Sequence, residues 1–283
     1  MKRSLIALLL ALFLPSTARA TWSVIAVDMA TGRVVIASAT CVDANDSFLM
    51  GIQAVVVPGK GIAACQAGVD GTHANQNLVF AELEKGTDPK RIIEMLAQDS
   101  AFQTRQFGIV DLRGRTAGHS GLGNSYVTQD IQGRVPGTQI YYSIQGNILR
   151  AGEVVPNAVK AFLAASGAKD ALTDRVMAAM DAADAAGGDS RCSCPATPAD
   201  SSASAAAIPC DGKHAQVAYI LMADKNDPNG KSHNDGKYAM YLTVVQPGSG
   251  GPNAIHAGEN LNPVKTLRMR YDVWRKLQPA SFR

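Results

Sequence analysis

After its first twenty residues the chain opens with two almost continuously apolar segments, residues 22–29 and 33–40. Residues 30–32 between them have turn chemistry, so the pattern predicts a β-hairpin. Strands that are apolar at nearly every position are usually covered on both faces. A second predicted hairpin joins residues 51–58 to residues 62–69. The pattern therefore indicates four buried strands at the start of the folded part.

Helical periodicity follows, at residues 75–85 and, after the capping pair Asp88 and Pro89, up to about residue 98. The remaining predicted elements are strands at 106–112, 116–119 and 139–145, helices at 154–166 and 172–186, strands at 217–223 and 238–245, and a helix at 263–277. Helices thus come in pairs between groups of strands, an order in which each pair can cover one outer face of two stacked sheets. We predict an α+β fold, a four-layer αββα sandwich with two stacked, mainly antiparallel sheets. The sandwich is expected to be a single domain over residues 21–283.

The first twenty residues resemble a cleavable signal peptide rather than part of this domain. They begin with two basic residues, continue with ten uninterrupted apolar residues (5–14), and end with small residues at Ala18 and Ala20. Ten apolar residues are too few to span a bilayer, which needs about 20. We therefore predict cleavage after Ala20, export to a periplasm or out of the cell, and no membrane insertion.

Charge narrows the classes of partner. The full chain has 27 basic and 24 acidic residues, and the predicted cleavage removes three of the basic ones. The mature protein would then carry no net charge, whereas phosphate binding requires a concentrated basic surface. The basic residues of the last predicted helix fit a solvated helix face. A nucleic-acid partner is not expected.

The predicted cleavage would make Thr21 the first residue, directly before a buried strand. An α-amine, with an ordinary pKa of about 7.7–8.0, can take the proton from the hydroxyl of the same residue and make it a nucleophile. A rigid strand can hold that oxygen about 3 Å from a carbonyl carbon. Pairing Asp28 with Arg33 in the first hairpin places Thr21 opposite Thr40 and Cys41. Thr40 is therefore a candidate substrate-binding residue.

Other polar residues are candidates for the same chemistry. Asn147, just past a predicted strand, and Gln66, in an apolar run, are candidate donors to an oxyanion. Asp189 could orient the amine or bind substrate, and it could equally cap a helix or pair with Arg191, a candidate substrate-binding residue. His119, at a strand end, is a candidate acid or base. Each also has a structural interpretation, as a turn residue or a buried polar group.

The five cysteines are expected to form disulfides, because the predicted compartment is oxidising. Cys41 ends the second predicted strand and Cys65 lies in the fourth, which makes them a feasible pair. Cys194 or Cys192 could pair with Cys210. One thiol would remain, either free or paired between chains.

Residues at about 190–214 form an insertion rich in Ser, Ala, Pro and Cys. A zinc site with Cys192, Cys194, Cys210 and His214 as ligands has an acceptable donor set and is the alternative to disulfides there. Export favours disulfides, so we expect no metal and no cofactor.

Six stretches, in order along the mature chain, resemble the bacterial family known as domain of unknown function 1028, which belongs to the N-terminal nucleophile (Ntn) hydrolase fold superfamily. They are TWSVIAVDMATGRVVIASATC, GIAACQAG, RQFGIVDLRGRTAGHSG, YSIQGNIL, AADAAGGDSR and NPVKTLRMRYDVW. The resemblance implies the four-layer αββα sandwich and, by superfamily analogy, hydrolysis of an amide bond. Family members often begin with a Thr after the initiator Met, to which Thr21 would correspond. The insertion departs from the family pattern, so the wall of any cleft is expected to differ.

The sequence leads to two hypotheses. In the first, the protein is an exported Ntn hydrolase that cleaves an amide bond in a small molecule or peptide, with Thr21 as nucleophile. In the alternative, it is a non-catalytic secreted ligand-binding or assembly module that retains the fold, since fold alone is weak evidence for function. The identity of the substrate and assembly into a homo-oligomer are left open.

Overall fold

The computed structural model describes residues 21–42, 45, 47–124, 127–165, 172–192 and 213–278. The predicted signal peptide, Cys194, Cys210 and most of the predicted insertion lie outside the described residues. Within them, no helix combines the length and apolar character needed to cross a bilayer.

Two antiparallel sheets form the centre of the described structure. The strands of the first sheet are β1 (Thr21–Asp28), β2 (Arg33–Thr40), β7 (Val127–Arg134), β8 (Ile140–Leu149), β9 (Val217–Ala223) and β10 (Met240–Val245). Those of the second are β3 (Ala54–Val57), β4 (Gly61–Ala67), β5 (Arg105–Asp111) and β6 (Thr116–Ser120). The first sheet has the order β10-β9-β2-β1-β8-β7 and the second β3-β4-β5-β6.

Helices cover the outer faces of both sheets. The exception is α1 (Phe48–Gln53), which contacts strands of both sheets, β4 in the second and β2 and β9 in the first. The others are α2 (Ala74–Lys85), α3 (Pro89–Leu96), α4 (Val154–Ala164), α5 (Leu172–Ala185) and α6 (Pro263–Leu277). The last three pack on the first sheet, α2 and α3 pack on the second, and β1, β2 and β8 face β4 and β5. The predicted four-layer αββα sandwich is therefore confirmed.

The first hairpin has the predicted register. Asp28 pairs with Arg33, and Thr21 pairs with Thr40. The turn is held by the Asp28 side chain, which accepts a hydrogen bond from the backbone N–H of Ala30 at 2.9 Å. Thr21 therefore begins the strand, one residue earlier than the sequence pattern indicated.

Alternation along β1 divides its side chains between two environments. Trp22, Val24 and Ala26 pack in the core beneath the helices of the first sheet, whereas Ile25 and Val27 pack between the sheets. Positions 21 and 23, which share the inter-sheet face with Ile25 and Val27, are Thr and Ser. The space between the sheets is thus apolar at one end and polar at the other.

Three predicted elements differ clearly from the structure. Strand β8 extends to Leu149, so Asn147, predicted to lie just past this strand, lies within it. Residues 51–53, predicted as the start of a strand, form the last turn of α1, whose first turn is held by Asn45 Oδ1 accepting from the N–H of Phe48 at 3.0 Å. Strand β7 was not predicted, because its sequence VTQDIQGR is mostly polar. That composition suits an edge strand, which pairs with β8 alone.

Candidate functional site

Thr21 lies at the polar end of the inter-sheet space. Its side chain is only 4% exposed, and its hydroxyl donates to Oγ1 of Thr40 over 3.4 Å. On the other side of β1, Asn147 of β8 is its register partner and is fully buried. The first residue of the domain is therefore fixed between two strands.

The hydrogen bonds continue from Thr40 to the segment that follows α5. Nη2 of Arg191 donates to Oγ1 of Thr40 at 3.3 Å, and the same atom lies 2.6 Å from Oδ2 of Asp189. Asp189 is fully buried, and its Oδ2 also accepts from the backbone N–H of Cys41 at 2.8 Å. The structure thus brings together four residues that the sequence marked as candidates: Thr21, Thr40, Asp189 and Arg191.

A disulfide between Cys41 and Cys192 holds this segment against the end of β2. The predicted pairing of Cys41 with Cys65 is therefore wrong. Cys65 is free and buried in β4, packed with Val79 and Phe107 under the helices of the second sheet. Its side chain belongs to a different layer from that of Cys41, which the sequence pattern could not indicate.

The disulfide also removes Cys192 from the alternative zinc ligand set. His214, another member of that set, lies with its Nδ1 3.3 Å from Oδ1 of Asp184.

Burial raises the pKa of the Cys65 thiol, so this remaining described thiol stays protonated at neutral pH and is not a nucleophile.

Gln66 is the centre of a buried network of amides. Its Nε2 donates to the backbone oxygen of Thr21 at 3.1 Å and to Oε1 of Gln106 at 2.7 Å. Its Oε1 accepts from Ser23 Oγ and Gln53 Nε2, both at 2.7 Å. Both amide hydrogens of Gln66 are thus already used, which suits a residue that positions Thr21 better than one that binds an oxyanion.

We expect Gln66→Met to lower the free energy of unfolding by about 3 kcal/mol, because it leaves several buried donors and acceptors unpaired. Urea denaturation measures this loss. The matched control is Gln98→Met at an exposed position, for which we expect a change within about 0.5 kcal/mol. A Gln66→Met protein as stable as the control would contradict a network that holds Thr21 in place.

A cleft starts at Thr21 and Thr40 and runs past the end of β4 to the first turn of α2. Its apolar wall is formed by Phe48, Leu49, Ile52, Val69 and Phe107. Its polar wall includes Gln53, Gln66, Asp70, Asn75, Gln76 and Arg105. The enclosed part of the cleft, about 20 Å³, has room for about one water-sized group.

A loop after β9 supports the α1 side of this cleft. His233 is 7% exposed, and its Nε2 is 3.0 Å from the backbone oxygen of Gly51. Asn234 donates from Nδ2 to the oxygens of Met50 and Gly51, at 2.9 and 3.1 Å. The loop therefore satisfies carbonyl groups at the end of α1, which carries Ile52 and the other α1 residues of the wall.

The stability of this wall is expected to depend on pH through His233. Burial lowers the pKa of the His233 imidazole, and the stacked His73 lowers it further. The hydrogen bond to the Gly51 carbonyl and the nearby Asp235 raise this pKa, but their effect is smaller. As pH falls below about 6.5, the unfolded chain takes up a proton that the folded protein does not, and the free energy of unfolding decreases by up to about 1.4 kcal/mol per pH unit.

We therefore expect stability to fall more steeply between pH 7 and 5.5 in the wild type than in His233→Gln. Urea denaturation at several pH values measures both slopes. Equal slopes in the two proteins would contradict a neutral His233 in the folded state.

His119 is not brought to the cleft. Its ring stacks on Phe102 with centroids 3.6 Å apart, and its Nε2 is 3.1 Å from the backbone oxygen of Phe102.

Sequence reasoning missed Ser23, Gln53 and Gln106, which complete the amide network around Gln66. A polar residue on the inward face of an otherwise apolar strand, as in TWS of β1, was the signal that could have indicated Ser23 and Gln106; Gln53 lies at the end of α1 and had no such signal.

Comparison with known proteins gives one family and one fold. Residues 21–228 match the model of a family of unknown function (DUF1028). The crystal structure of protein SPO2555 from Silicibacter pomeroyi, which bears the same family designation, is similar with a TM-score of 0.61 at 21% identity, covering 90% of this chain and 88% of that chain. This identity supports likeness of fold alone. No curated protein matches the chain.

Proposed function

The chain belongs to the DUF1028 family, and we propose that it is an exported N-terminal nucleophile hydrolase that cleaves an amide bond. The observation that carries the proposal is the position of Thr21. It is the first residue of a buried strand, it lines a cleft, and among the described residues its hydroxyl forms a hydrogen bond with another hydroxyl, that of Thr40. Neither neighbour in the register, Thr40 nor Asn147, is a base that could activate the hydroxyl. Cleavage after Ala20 would supply the base as the α-amine of Thr21.

The proposed reaction has two stages. Thr21 Oγ1 attacks the carbonyl carbon while the α-amine accepts the hydroxyl proton, which then passes to the leaving nitrogen as the C–N bond breaks. Water attacks the resulting ester, its proton goes to the same amine, and the carboxylic acid leaves with Thr21 restored. No group outside the chain and its substrate is needed to balance these steps.

The neighbours of Thr21 have distinct roles in this proposal. Asn147 would donate its amide to the oxyanion. It lies on the same face of the sheet as Gln145, whose Nε2 donates to the Ala64 oxygen of the second sheet at 3.2 Å. Thr40, held by Arg191 and through it by Asp189, fixes the direction of the Thr21 hydroxyl. Gln66 acts as a positioning residue through the Thr21 carbonyl.

The layered fold supports the proposal, because the αββα sandwich is the architecture that the family resemblance implies for N-terminal nucleophile hydrolases. The polar end of the inter-sheet space gives a second support. The buried oxygens Gln145 Oε1 and Gln76 Oε1 have no hydrogen-bond partner among the described residues, which costs stability, and such a cost is typical of functional sites.

An α′,β′-epoxyketone tests the proposal, because it needs both a hydroxyl and a free amine. The hydroxyl adds to the ketone, the amine opens the epoxide, and the whole probe is retained. We expect intact mass measurement to show one added probe on the exported protein that starts at Thr21, and none on a precursor purified with residues 1–20 attached. Equal addition to both forms would contradict the proposal. A processed protein that does not react would instead favour a ligand-binding module.

A further inference from the structure

Gln76, in the first turn of α2, carries a buried acceptor at the cleft. The residue is 2% exposed and lines the same cleft as Thr21. Its Nε2 donates to the backbone oxygen of Ile52 at 2.7 Å. Its Oε1 has no hydrogen-bond partner among the residues that the structure describes. A buried amide oxygen without a donor costs free energy that a ligand donor can recover.

The orientation of this amide is fixed by its neighbour. Exchanging the nitrogen and oxygen of Gln76 would place its oxygen against the Ile52 oxygen, two acceptors 2.7 Å apart. Because that arrangement is repulsive, the nitrogen must bond to Ile52 and the oxygen must remain available. The group that complements Gln76 is therefore a hydrogen-bond donor.

Asp70 adds negative charge to the same wall of the cleft. Its Oδ2 accepts from the backbone N–H of Asn75, the residue before Gln76, at 2.9 Å, and its Oδ1 accepts from Thr72. Burial raises the pKa of the carboxyl, but these hydrogen bonds and the charge of Arg105 bring it below its ordinary value. Asp70 is therefore ionised at neutral pH.

The cationic group in the cleft is already balanced. Nε of Arg105 donates to Oδ2 of Asp99 at 3.0 Å, and its Nη1 donates to the Gly68 oxygen at 2.6 Å. Arg105, Asp99 and Asp70 together carry one net negative charge. The electrostatics of this wall thus favour a cation over a carboxylate.

We propose that the cleft recognises a protonated amine on the acyl part of the substrate, with Gln76 Oε1 as hydrogen-bond acceptor and Asp70 as counter-charge. The proposal rests on the proposed function, because it assigns the substrate class to the same cleft. Phe48, Leu49 and Ile52, which line the same cleft, would contact the methylene chain that carries the amine. The substrate class is then an amide whose acyl group bears an aliphatic amine.

Matched epoxyketones test this recognition. The amine probes are the epoxyketones of lysine, ornithine and 2,4-diaminobutyric acid. Their side chains differ in length, so the test does not depend on one distance between the ammonium and the reacting ketone. The norleucine probe has a methyl group where the ornithine probe has its ammonium, and the glutamate probe has a carboxylate where the 2,4-diaminobutyric acid probe has its ammonium. We expect the fastest amine probe to add to the wild type about tenfold faster than norleucine, and the glutamate probe to be slowest.

Variants of Gln76 separate recognition from folding. Gln76→Met removes the acceptor, and we expect it to reduce the ratio of amine to norleucine rates to within about twofold of one. Gln76→Glu keeps an acceptor oxygen and should keep or raise that ratio. Both variants lose the bond to Ile52, so a purely structural role would slow all probes alike. An unchanged ratio in Gln76→Met, or a wild type that prefers glutamate or norleucine, would overturn the proposal.

A direct binding measurement tests the amine site independently of the proposed nucleophile. If no probe adds to the wild type, the proposed nucleophile fails, and the cleft is tested by titrating the processed protein with n-butylammonium chloride in ligand-observed NMR. Saturable binding that weakens at least fivefold in Gln76→Met supports the amine site. Absence of binding by the wild type overturns it.

Discussion

Thr21→Ala is expected to abolish addition of the epoxyketone, lowering its second-order rate by about 10³-fold or more, as removal of a covalent nucleophile does in other enzymes. The alanine keeps the α-amine but has no oxygen to attack the ketone. Thr21→Ser keeps both groups and should retain measurable addition, at a rate reduced by freer rotation of its side chain. Intact mass measurements on reactions stopped at successive times give the rates of the wild type, Thr21→Ala and Thr21→Ser.

The matched control is Thr40→Val, which removes the hydroxyl that accepts from Thr21. Because this hydroxyl only orients the nucleophile, we expect a smaller loss, about tenfold. Addition to Thr21→Ala at the wild-type rate would show that another residue reacts, and would leave the cleft as a binding site.

Removal of the Cys41–Cys192 disulfide is expected to have the largest effect on stability. The bond closes a loop of 151 residues in sequence, and a cross-link of that span reduces the entropy of the unfolded chain enough to stabilise the fold by about 4–5 kcal/mol. We expect the double variant Cys41→Ala, Cys192→Ala to lose free energy of unfolding of this order in oxidising buffer. Urea denaturation measures it.

Reductant provides the control for this prediction. It should destabilise the wild type towards the double variant, because the two then differ only by buried thiols and methyl groups. The disulfide also holds Asp189 and Arg191 beside Thr40, so we expect slower probe addition after reduction. A double variant as stable as the oxidised wild type would contradict a structural role for this bond.

The first hairpin could be predicted because its determinants are local. Four residues, 29–32, separate Asp28 from Arg33 at the end of two apolar runs, and counting along both strands from this pair places Thr21 opposite Thr40. The same alternation, applied to the inward positions of β1, would have indicated a polar end at Thr21 and Ser23. The order of the layers could be predicted from the pairs of helices between groups of strands, and the family resemblance implied the same order.

The rest of the site depends on contacts that are distant in sequence. The partner of Cys41 lies 151 residues away, in the segment after α5, and nothing near Cys41 distinguishes Cys192 from Cys65. The bond from Gln66 to the Thr21 oxygen exists only once the second sheet packs on the first, whereas its bond to Gln106 joins the neighbouring strands β4 and β5. Similarly, Gln76 belongs to the cleft because α1 ends beside the first turn of α2.

The division of the inter-sheet space explains how one sandwich can be both stable and reactive. Ile25, Val27, Val34 and Ile36 supply an apolar core at one end, where burial of apolar side chains stabilises the fold. The polar end holds a hydroxyl and several amides, with Asp189 near the strand termini. The tightly packed apolar end of the inter-sheet space thereby holds the strands that carry the residues of the polar end.

The most direct measurement is mass spectrometry of the N-terminal peptide from the exported protein after reaction with the epoxyketone. Our account predicts a peptide that starts at Thr21, with one intact probe joined to both the oxygen and the nitrogen of that residue. A mature chain that starts at any other residue, or a probe attached elsewhere, would contradict it.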